Sequence, residues 1–184
     1  LDGTLLMEQR SVLKVSTFGR VQTIITAGAA LTDADGFLQR FDFFMKAEDT
    51  TLSVRGEIKE TQIVMELDQG TGDIQEINFP ITSRPHVALS LEAMLKQTKL
   101  SVGTELFIPY FDPISMSDGE MRLRVVDTEI LDNGEEAFWI VSNFNEIETR
   151  SLISIDGELL RQEGALGISM VRMTAEAAQD FGSD

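Results

Sequence analysis

The sequence predicts a mainly β protein with one or two helices, in which a long curled antiparallel meander sheet forms a half-barrel around one helix near residues 86–100. The first observation is a set of polar turns that cut the chain into apolar stretches of hairpin length. These turns are Asp33-Ala34-Asp35-Gly36, Gly70-Thr71-Gly72-Asp73, Ser117-Asp118-Gly119, Asp132-Asn133-Gly134 and Asp156-Gly157. The second is that the stretches are apolar on one side only, which is typical of a sheet with one covered face.

The first half of the chain is predicted to consist of strands. Residues 12–15 and 21–31 are rich in β-forming residues, and Gly19 between them indicates a bend or bulge. Beyond Gly36, apolar and polar residues alternate with the period of a strand. The apolar positions are Phe37, Phe41, Phe43, Met45, Leu52, Val54, Ile58, Ile63, Met65, Leu67, Ile77, Phe79 and Ile81.

Pro85 marks a change to helical periodicity. Apolar residues then follow at Val87, Leu91, Met94, Leu95 and Leu100. Proline is well placed in a first helical turn, and Lys96 and Lys99 lie near the negative end of the helix dipole. We therefore expect one long helix over residues 86–100.

The second half returns to the strand pattern. Strands are expected at residues 105–110, 121–130, 137–145, 151–155, 159–161 and 168–173, and Thr174 caps a short final helix over residues 175–181. A long sheet can wrap its apolar face around the central helix, whereas a two-sheet sandwich would leave that helix as an appendage. No linker or repeat divides the chain, so we expect residues 1–184 to form a single domain.

Charge and composition limit the partners. The 184 residues carry a net charge of −16, from 31 acidic and 15 basic residues spread along the chain. Such a surface repels phosphate backbones, so we expect no nucleic-acid partner. The longest small-apolar stretch, residues 24–31, is far shorter than the ~20 residues of a membrane span, and no integral membrane segment is expected. Free edge strands can pair between molecules, which favours a monomer or a weak dimer.

The sequence names no catalytic, cofactor-binding or metal-binding residue. The chain has no cysteine, which excludes thiol catalysis and thiolate metal sites. His86 is the sole histidine, and Ser83 and Ser90 lie nearby, but no spacing rule makes them a triad. We interpret His86 as a solvated or capping residue. The acidic residues are too many to nominate one glycosidase pair.

The segment Asp33-Ala34-Asp35-Gly36 begins like a calcium loop. An EF-hand then needs an oxygen ligand, a glycine and a glutamate at defined positions, and this chain has Phe37, Leu38 and Phe44 there. We therefore interpret the segment as a plain β-turn with at most weak Ca²⁺ binding.

The densest aromatic segment contains Phe107, Tyr110 and Phe111. Together with Met94 and Leu91 of the predicted helix, these residues are candidates for binding an apolar ligand, because flexible methionine and aromatic side chains suit adaptable cavities. The alternative is that the segment packs over the core at the rim of the sheet.

Several motifs appear in a characteristic order. They are Phe18-Gly19-Arg20-Val21-Gln22, Thr32-Asp33-Ala34-Asp35-Gly36, Phe107-Ile108-Pro109-Tyr110-Phe111-Asp112-Pro113-Ile114-Ser115, Met121-Arg122-Leu123-Arg124-Val125-Val126, Ser154-Ile155-Asp156-Gly157-Glu158-Leu159-Leu160-Arg161-Gln162 and Val171-Arg172-Met173-Thr174-Ala175-Glu176-Ala177. The set, over roughly residues 10–178, resembles the region that precedes the transglutaminase-like domain in some exported bacterial proteins of unassigned function.

The resemblance implies a half-barrel similar to periplasmic lipoprotein carriers. It also implies a periplasmic or cell-envelope location, with a leader that is absent from this chain, and a transglutaminase-like domain after Asp184. Because the chain lacks cysteine and keeps only His86, no residue of the Cys-His catalysis of that domain can be transferred.

These observations lead to a first hypothesis of a non-enzymatic cell-envelope module that binds a lipid, lipopeptide or other apolar ligand on the concave side of the curled sheet. The alternative is a protein-interaction or scaffold domain with a packed interior, which accompanies a transglutaminase-like or peptidase-like domain. A third hypothesis is an enzyme with acidic catalytic residues, but the sequence points to no particular pair of aspartate or glutamate residues.

Overall fold

The computed structural model describes residues 3–17, 20–164 and 169–172, which contain twelve strands and one helix. The first six strands are β1 (Leu5–Thr17), β2 (Arg20–Thr32), β3 (Leu38–Ala47), β4 (Thr50–Lys59), β5 (Gln62–Asp68) and β6 (Ile74–Pro80). After the helix α1 (Ala88–Gln97) come β7 (Glu105–Asp112), β8 (Ser117–Ile130), β9 (Glu136–Phe144), β10 (Ile147–Ser154), β11 (Leu159–Glu163) and β12 (Ser169–Val171). The predicted final helix, residues 175–181, lies outside the described residues.

The strands form two antiparallel meanders of six strands each, in the orders β1-β2-β3-β4-β5-β6 and β12-β11-β10-β9-β8-β7. The mainly β class, the antiparallel meander and the helix are confirmed, but the strands are divided between two sheets. The division follows Pro80, the last residue of β6, and Pro85, because proline has no backbone N–H to continue a ladder. Among the described strands neither sheet closes on itself.

The chain divides into two compact units. The first unit is Leu1–Met94 with Pro109–Gly119, and the second unit is Leu95–Ile108 with Glu120–Asp184. The chain thus passes between the units after residues 94, 108 and 119. A single domain over residues 1–184 stays a prediction.

The core of the first unit lies on one face of the first sheet, called here the inner face. Cross-strand pairing places Ala30, Phe41, Gly56 and Met65 in one row across β2–β5. The buried residues of this core are Ala30, Leu38, Phe41, Val54, Ile63, Met65, Leu67, Ile81, Val87 and Phe111. The alternation of apolar and polar residues in these strands therefore corresponds to side chains that point in turn to the buried inner face and to the solvent-exposed opposite face.

Three aromatic rings and a glycine fix the centre of this core. Phe111 has no exposed surface, and its ring centroid lies 5.6 Å from that of Phe41 and 5.7 Å from that of Phe79. The ring of Phe41 covers Gly56, where an added Cβ would lie 2.2 Å from Phe41 Cε1. Gly56 is therefore required in the strand because Phe41 occupies the space of its side chain.

The helix is shorter than predicted, ten residues instead of the span 86–100. It begins after Val87, whose N–H donates to Ser90 Oγ at 3.1 Å, one of the two hydrogen bonds of a capping box. His86 is excluded from the helix because its N–H donates to the carbonyl of Pro109 at 2.7 Å and its carbonyl accepts from Phe111 N–H at 2.9 Å.

Four of the five predicted turns are present between strands, and the fifth is displaced. Ser117-Asp118-Gly119 lies at the start of β8, and the turn falls instead at residues 113–116. The reason is Asp112, whose Oδ1 accepts from the N–H of Ile114 at 3.0 Å and whose Oδ2 accepts from the hydroxyl of Ser115 at 2.6 Å. This local side-chain bonding stabilises a turn earlier than the glycine pattern indicates.

A tight turn between β9 and β10 carries no glycine. Asn145 and Glu146 have φ angles of 50° and 65°, the two positive values of a type I′ hairpin turn. Sequence reasoning continued the strand to residue 145, because only the asparagine is a usual residue for this conformation.

We predict that Gly56→Ala lowers the free energy of unfolding by about 1–3 kcal/mol, because the new methyl group overlaps the packed ring of Phe41. Urea denaturation measures the change. Adding Phe41→Leu should make the two effects non-additive, since the smaller side chain leaves room for the methyl group.

The matched control is Gly28→Ala, a second strand glycine without positive φ, where a Cβ would lie 3.5 Å from Leu89 Cδ1 in ordinary contact. We expect a change within about 0.5 kcal/mol there. Equal losses for the two variants would contradict the packing described for Phe41.

Candidate functional site

An open cavity of about 590 Å³ lies on the face of the first sheet opposite the core. This face is called the outer face and the cavity the outer groove. Its lining residues are Glu8, Gln9, Arg10, Ala27, Gly28, Ala29, Asp42, Phe43, Phe44, Ser53 and Arg55. All of them belong to β1–β4 of the first unit.

Small residues of β2 form the floor of the outer groove. The strand register places Ala29 between Glu8 of β1 and Asp42 of β3. Because neighbouring strands are about 4.8 Å apart, the two acidic residues stand about 10 Å apart across the alanine. A methyl group between two longer side chains leaves a depression between them.

The next row of the outer groove has the same construction. Ala27 lies between Arg10 of β1 and Phe44 of β3. Phe44 is one of the large apolar side chains that stay exposed, at 36%. An aromatic ring opposite a guanidinium group, above a small residue, can contact both the aliphatic and the charged part of a ligand.

The charges of the outer groove are balanced. Asp42 Oδ1 accepts from Arg55 Nε at 2.9 Å, and both side chains are more than half exposed. An ion pair in that position contributes about 0–1 kcal/mol, so it orients the two side chains more than it stabilises the fold. Glu8 and Arg10 take part in none of the ion pairs seen among the described residues.

The five residues predicted to bind an apolar ligand differ in burial and do not all belong to one unit. Phe111 is fully buried and Tyr110 is nearly so, while Leu91 and Met94 are half-buried on α1. Phe107 belongs to the second unit and is 55% exposed, with the guanidinium carbon of Arg122 at 5.9 Å from its ring centre. Ligand binding by these residues stays a prediction.

Tyr110 lies in the aromatic segment next to Phe111. Burial, and secondarily the negative charge of Asp112, raises the pKa of Tyr110 far above its ordinary value of 10.0. Its hydroxyl therefore stays protonated at any physiological pH. The neighbouring Pro109 is tolerated within β7 because that strand ends the second sheet, where a missing N–H breaks no ladder.

His86 is buried, with 5% of its surface exposed. Its ring centroid lies 4.7 Å from that of Phe37, and it hydrogen-bonds to the backbone of Gly36. Burial lowers the pKa of His86 below its ordinary 6.5, although the Gly36 hydrogen bond and the negative charge of Asp33 act in the opposite direction. His86 is thus a neutral, buried residue of the core edge, not the solvated residue of the prediction.

The serine beside His86 is committed to the helix start. Ser90 Oγ donates to the carbonyl of Val87 at 2.9 Å, accepts from its N–H, and lies 3.4 Å from His86 Nδ1. Ser90 has no exposed surface, so its oxygen cannot reach a substrate. This arrangement caps a helix and does not build a catalytic dyad.

Asp33 holds its turn together. Oδ1 accepts from the N–H groups of Asp35 and Phe37, and Oδ2 pairs with Arg84. Burial raises the pKa of Asp33, but the hydrogen bonds from Arg84 and from the Phe37 backbone lower it by more. The net pKa therefore lies below the ordinary value of 3.8. The described ranges contain no group of three or more potential metal-ligating side chains.

A second polar cluster surrounds Trp139 in the second unit. Its indole Nε1 donates to Glu129 Oε2 at 3.0 Å, and the guanidinium carbons of Arg150 and Arg161 lie 4.3 and 5.3 Å from the ring centre. Arg161 also pairs with Glu129 Oε1 at 3.4 Å. The two arginines cover a tryptophan that is 7% exposed, which is a structural role.

Sequence reasoning missed the outer groove. The only signal is the run of small residues at 27–30 within a strand that otherwise contains larger ones. The other lining residues come from strands separated by long stretches of sequence, and only the pairing register places them side by side. Separately, the described residues include no helix with the length and apolarity that crossing a membrane requires.

We predict that stability depends on pH through His86. A histidine with a lowered pKa in the folded state binds fewer protons than in the unfolded state, so the free energy of unfolding is fully retained above pH 6.5 and decreases as the pH falls below that value. The slope contributed by one such group is at most about 1.4 kcal/mol per pH unit. Urea denaturation, followed by circular dichroism, measures it.

The matched variant is His86→Gln, which keeps a polar side chain of similar reach without a titrating group. We expect a flatter pH profile of stability in this variant below pH 6.5. The same slope in both proteins would show that other groups cause the pH dependence.

No protein-family model matches this chain, and no curated protein matches it. Among solved structures, the chain is similar to a beta-barrel-like protein of domain of unknown function DUF1849 from Brucella abortus, with a TM-score of 0.61 and 10% sequence identity, over 90% of this chain and 78% of that chain. It is also similar to a DUF1089 family protein from Pseudomonas aeruginosa, with a TM-score of 0.49 and 11% identity, over 93% of this chain and 92% of that chain. At such identity the first similarity concerns the fold alone. The chain therefore shares a barrel-like antiparallel fold with a domain of unknown function.

Proposed function

We propose that this chain is a non-catalytic protein-interaction module of the bacterial cell envelope, and that it binds a basic, extended segment of a partner protein in the outer groove. The observation that supports it most is the filled inner face. Phe111, Ile63 and Met65 have no exposed surface there, so side chains of the protein itself occupy the interior of the first unit. The outer groove, in contrast, is open to solvent.

The chemistry of the partner follows from charge. With a net charge of −16, the protein attracts basic segments at long range and repels acidic ones. In the groove itself Glu8 and Asp42 stand on either side of Ala29, and because Asp42 Oδ1 already accepts from Arg55 Nε, a lysine or arginine side chain placed there would pair with the carboxylate of Glu8. Phe44 offers an apolar contact for the aliphatic part of that side chain.

The absence of catalysis in this proposal is supported by the state of the titratable residues. His86 is buried beside Ser90, which is itself engaged with Val87, and the chain has no cysteine. The envelope location and the accompanying transglutaminase-like or peptidase-like domain rest on the sequence resemblance. In this view the module positions such a domain or its substrate.

A second candidate function is the binding of an apolar ligand on the inner face. It is favoured by a set of partly buried apolar side chains at the margin of the core. They include Met7, Phe43, Leu52, Leu89 and Met116. A ligand at this margin would leave Phe111 in place, and its binding would not depend on the residues of the outer groove.

We predict that filling the outer groove weakens peptide binding while the fold is retained. The probes are twelve-residue peptides with a central lysine or arginine, selected by phage display against the wild-type protein at about 0.15 M salt, where non-specific attraction is screened. We expect Ala29→Phe to weaken the selected peptides at least about tenfold, because the ring occupies the space between Glu8 and Asp42. Calorimetry measures the affinities.

The matched control is Val64→Phe, on the outer face of β5 and not among the groove residues. It should leave the affinity unchanged, and circular dichroism should show both variants folded. Unchanged affinity in Ala29→Phe would contradict the proposed site. Equal weakening in both variants would indicate a general effect of added aromatic surface.

A further inference from the structure

The strand β1 is a free edge of the first sheet. Among the described residues only β2 pairs with it, over thirteen residues from Leu5 to Thr17. Among the residues that the structure describes, no strand pairs with the opposite side of β1, so the backbone N–H and C=O groups on that side offer a template for another strand. Charged residues on an edge commonly prevent such pairing, so their arrangement decides whether a partner fits.

In residues 5–13 of β1, most side chains are matched about Gln9, with Met7 and Ser11 as the unlike pair. Glu8 and Arg10 flank it with opposite charges. Leu6 and Val12, three residues away on either side, are 64% and 59% exposed. Leu5 and Leu13, four residues away, are 42% and 40% exposed. Leu5–Leu13 is thus chemically self-complementary when read in opposite directions.

We propose that β1 pairs antiparallel with β1 of a second copy of this chain, about a two-fold axis that passes between the two Gln9 residues. Each acidic residue then faces a basic one, and each exposed aliphatic residue faces another. The facing pairs are Leu5 with Leu13, Leu6 with Val12, Met7 with Ser11 and Glu8 with Arg10. The first sheets of the two copies, with six strands each, then join into one sheet of twelve strands.

The register is specified by these side chains. A two-fold axis perpendicular to the sheet places the inner faces of the two copies on the same side of the joined sheet. Met7, which packs against the core on the inner face, therefore stays on the covered side in both copies. Centring the pair on Met7 instead would place Glu8 opposite Leu6 and leave the carboxylate without a partner. Opposite charges that face each other across antiparallel strands attract, whereas like charges repel.

This interface shares Glu8, Gln9 and Arg10 with the outer groove but does not include the floor of the groove, which Ala27 and Ala29 of β2 form. The inference goes beyond the proposed function and does not rest on it. Because each copy carries a charge of −16, the pairing is expected to need physiological salt to screen the repulsion between the two chains.

Disulfide trapping tests the register directly, since the chain contains no cysteine. In Gln9→Cys the two thiols face each other at a Cα separation of about 4.5–5.5 Å, within disulfide range. We expect mild oxidation at about 0.15 M salt to give a covalent dimer on non-reducing gels. The matched control is Ser11→Cys, at a position that is exposed like Gln9. In the proposed register the thiols that this variant introduces in the two copies would lie about 14 Å apart along the strands, too far to form a disulfide.

Cross-linking of Gln9→Cys at least about tenfold faster than of Ser11→Cys supports the proposal. Equal rates would indicate random collision and would overturn it, and so would the absence of cross-linking in Gln9→Cys.

A charge exchange tests the same pairing without cysteine. Glu8→Arg places like charges opposite each other, and sedimentation equilibrium should show dimerisation weakened at least about tenfold. The double variant Glu8→Arg with Arg10→Glu restores opposite charges across the axis and should recover the wild-type dimer. A wild-type protein that stays monomeric at all concentrations, or a double variant that is not rescued, would overturn the proposal.

Discussion

The packing of Phe111 against Phe41 and Phe79 is the interaction on which the first unit depends. Phe111 comes from β7, far along the sequence from the strands that it covers, and it has no exposed surface. Its neighbour Phe41 fits only because Gly56 has no side chain. The same segment of β7 receives the backbone of His86 through two hydrogen bonds, and this contact sets where α1 begins. The same segment of β7 therefore supplies both the central ring of this core and the backbone bonds that keep His86 outside the helix.

A filled inner face changes where function is to be sought. An apolar carrier needs volume next to its core, and here the protein's own side chains take up the centre of that volume. The outer face instead has a shallow site made by small residues of β2 between longer residues of β1 and β3. Its construction needs no strained backbone and no buried charge. A surface of this kind suits reversible contacts with an extended polypeptide, and the strongly acidic chain favours a basic one.

The sequence patterns predicted much of the fold. Alternation and turn chemistry correctly indicated the antiparallel strands, and the change of period at Pro85 indicated the helix. The division into two sheets was missed because strand alternation is identical in one sheet and in two. The turn at Asn145 was missed because it contains no glycine and because Glu146, unlike asparagine, rarely adopts positive φ. The outer groove could not be predicted, since Glu8, Ala29 and Asp42 meet only through the strand register.

Native mass spectrometry of the wild-type protein, purified without detergent and compared with its denatured spectrum, tests most directly whether the inner face is filled by the protein itself. A packed interior predicts the mass of the bare chain, or of its multiples, in both spectra. An additional mass that is present in the native spectrum, lost on denaturation and identified as a lipid or another apolar molecule would contradict a filled inner face, whereas a co-purified basic peptide would be a ligand of the outer groove.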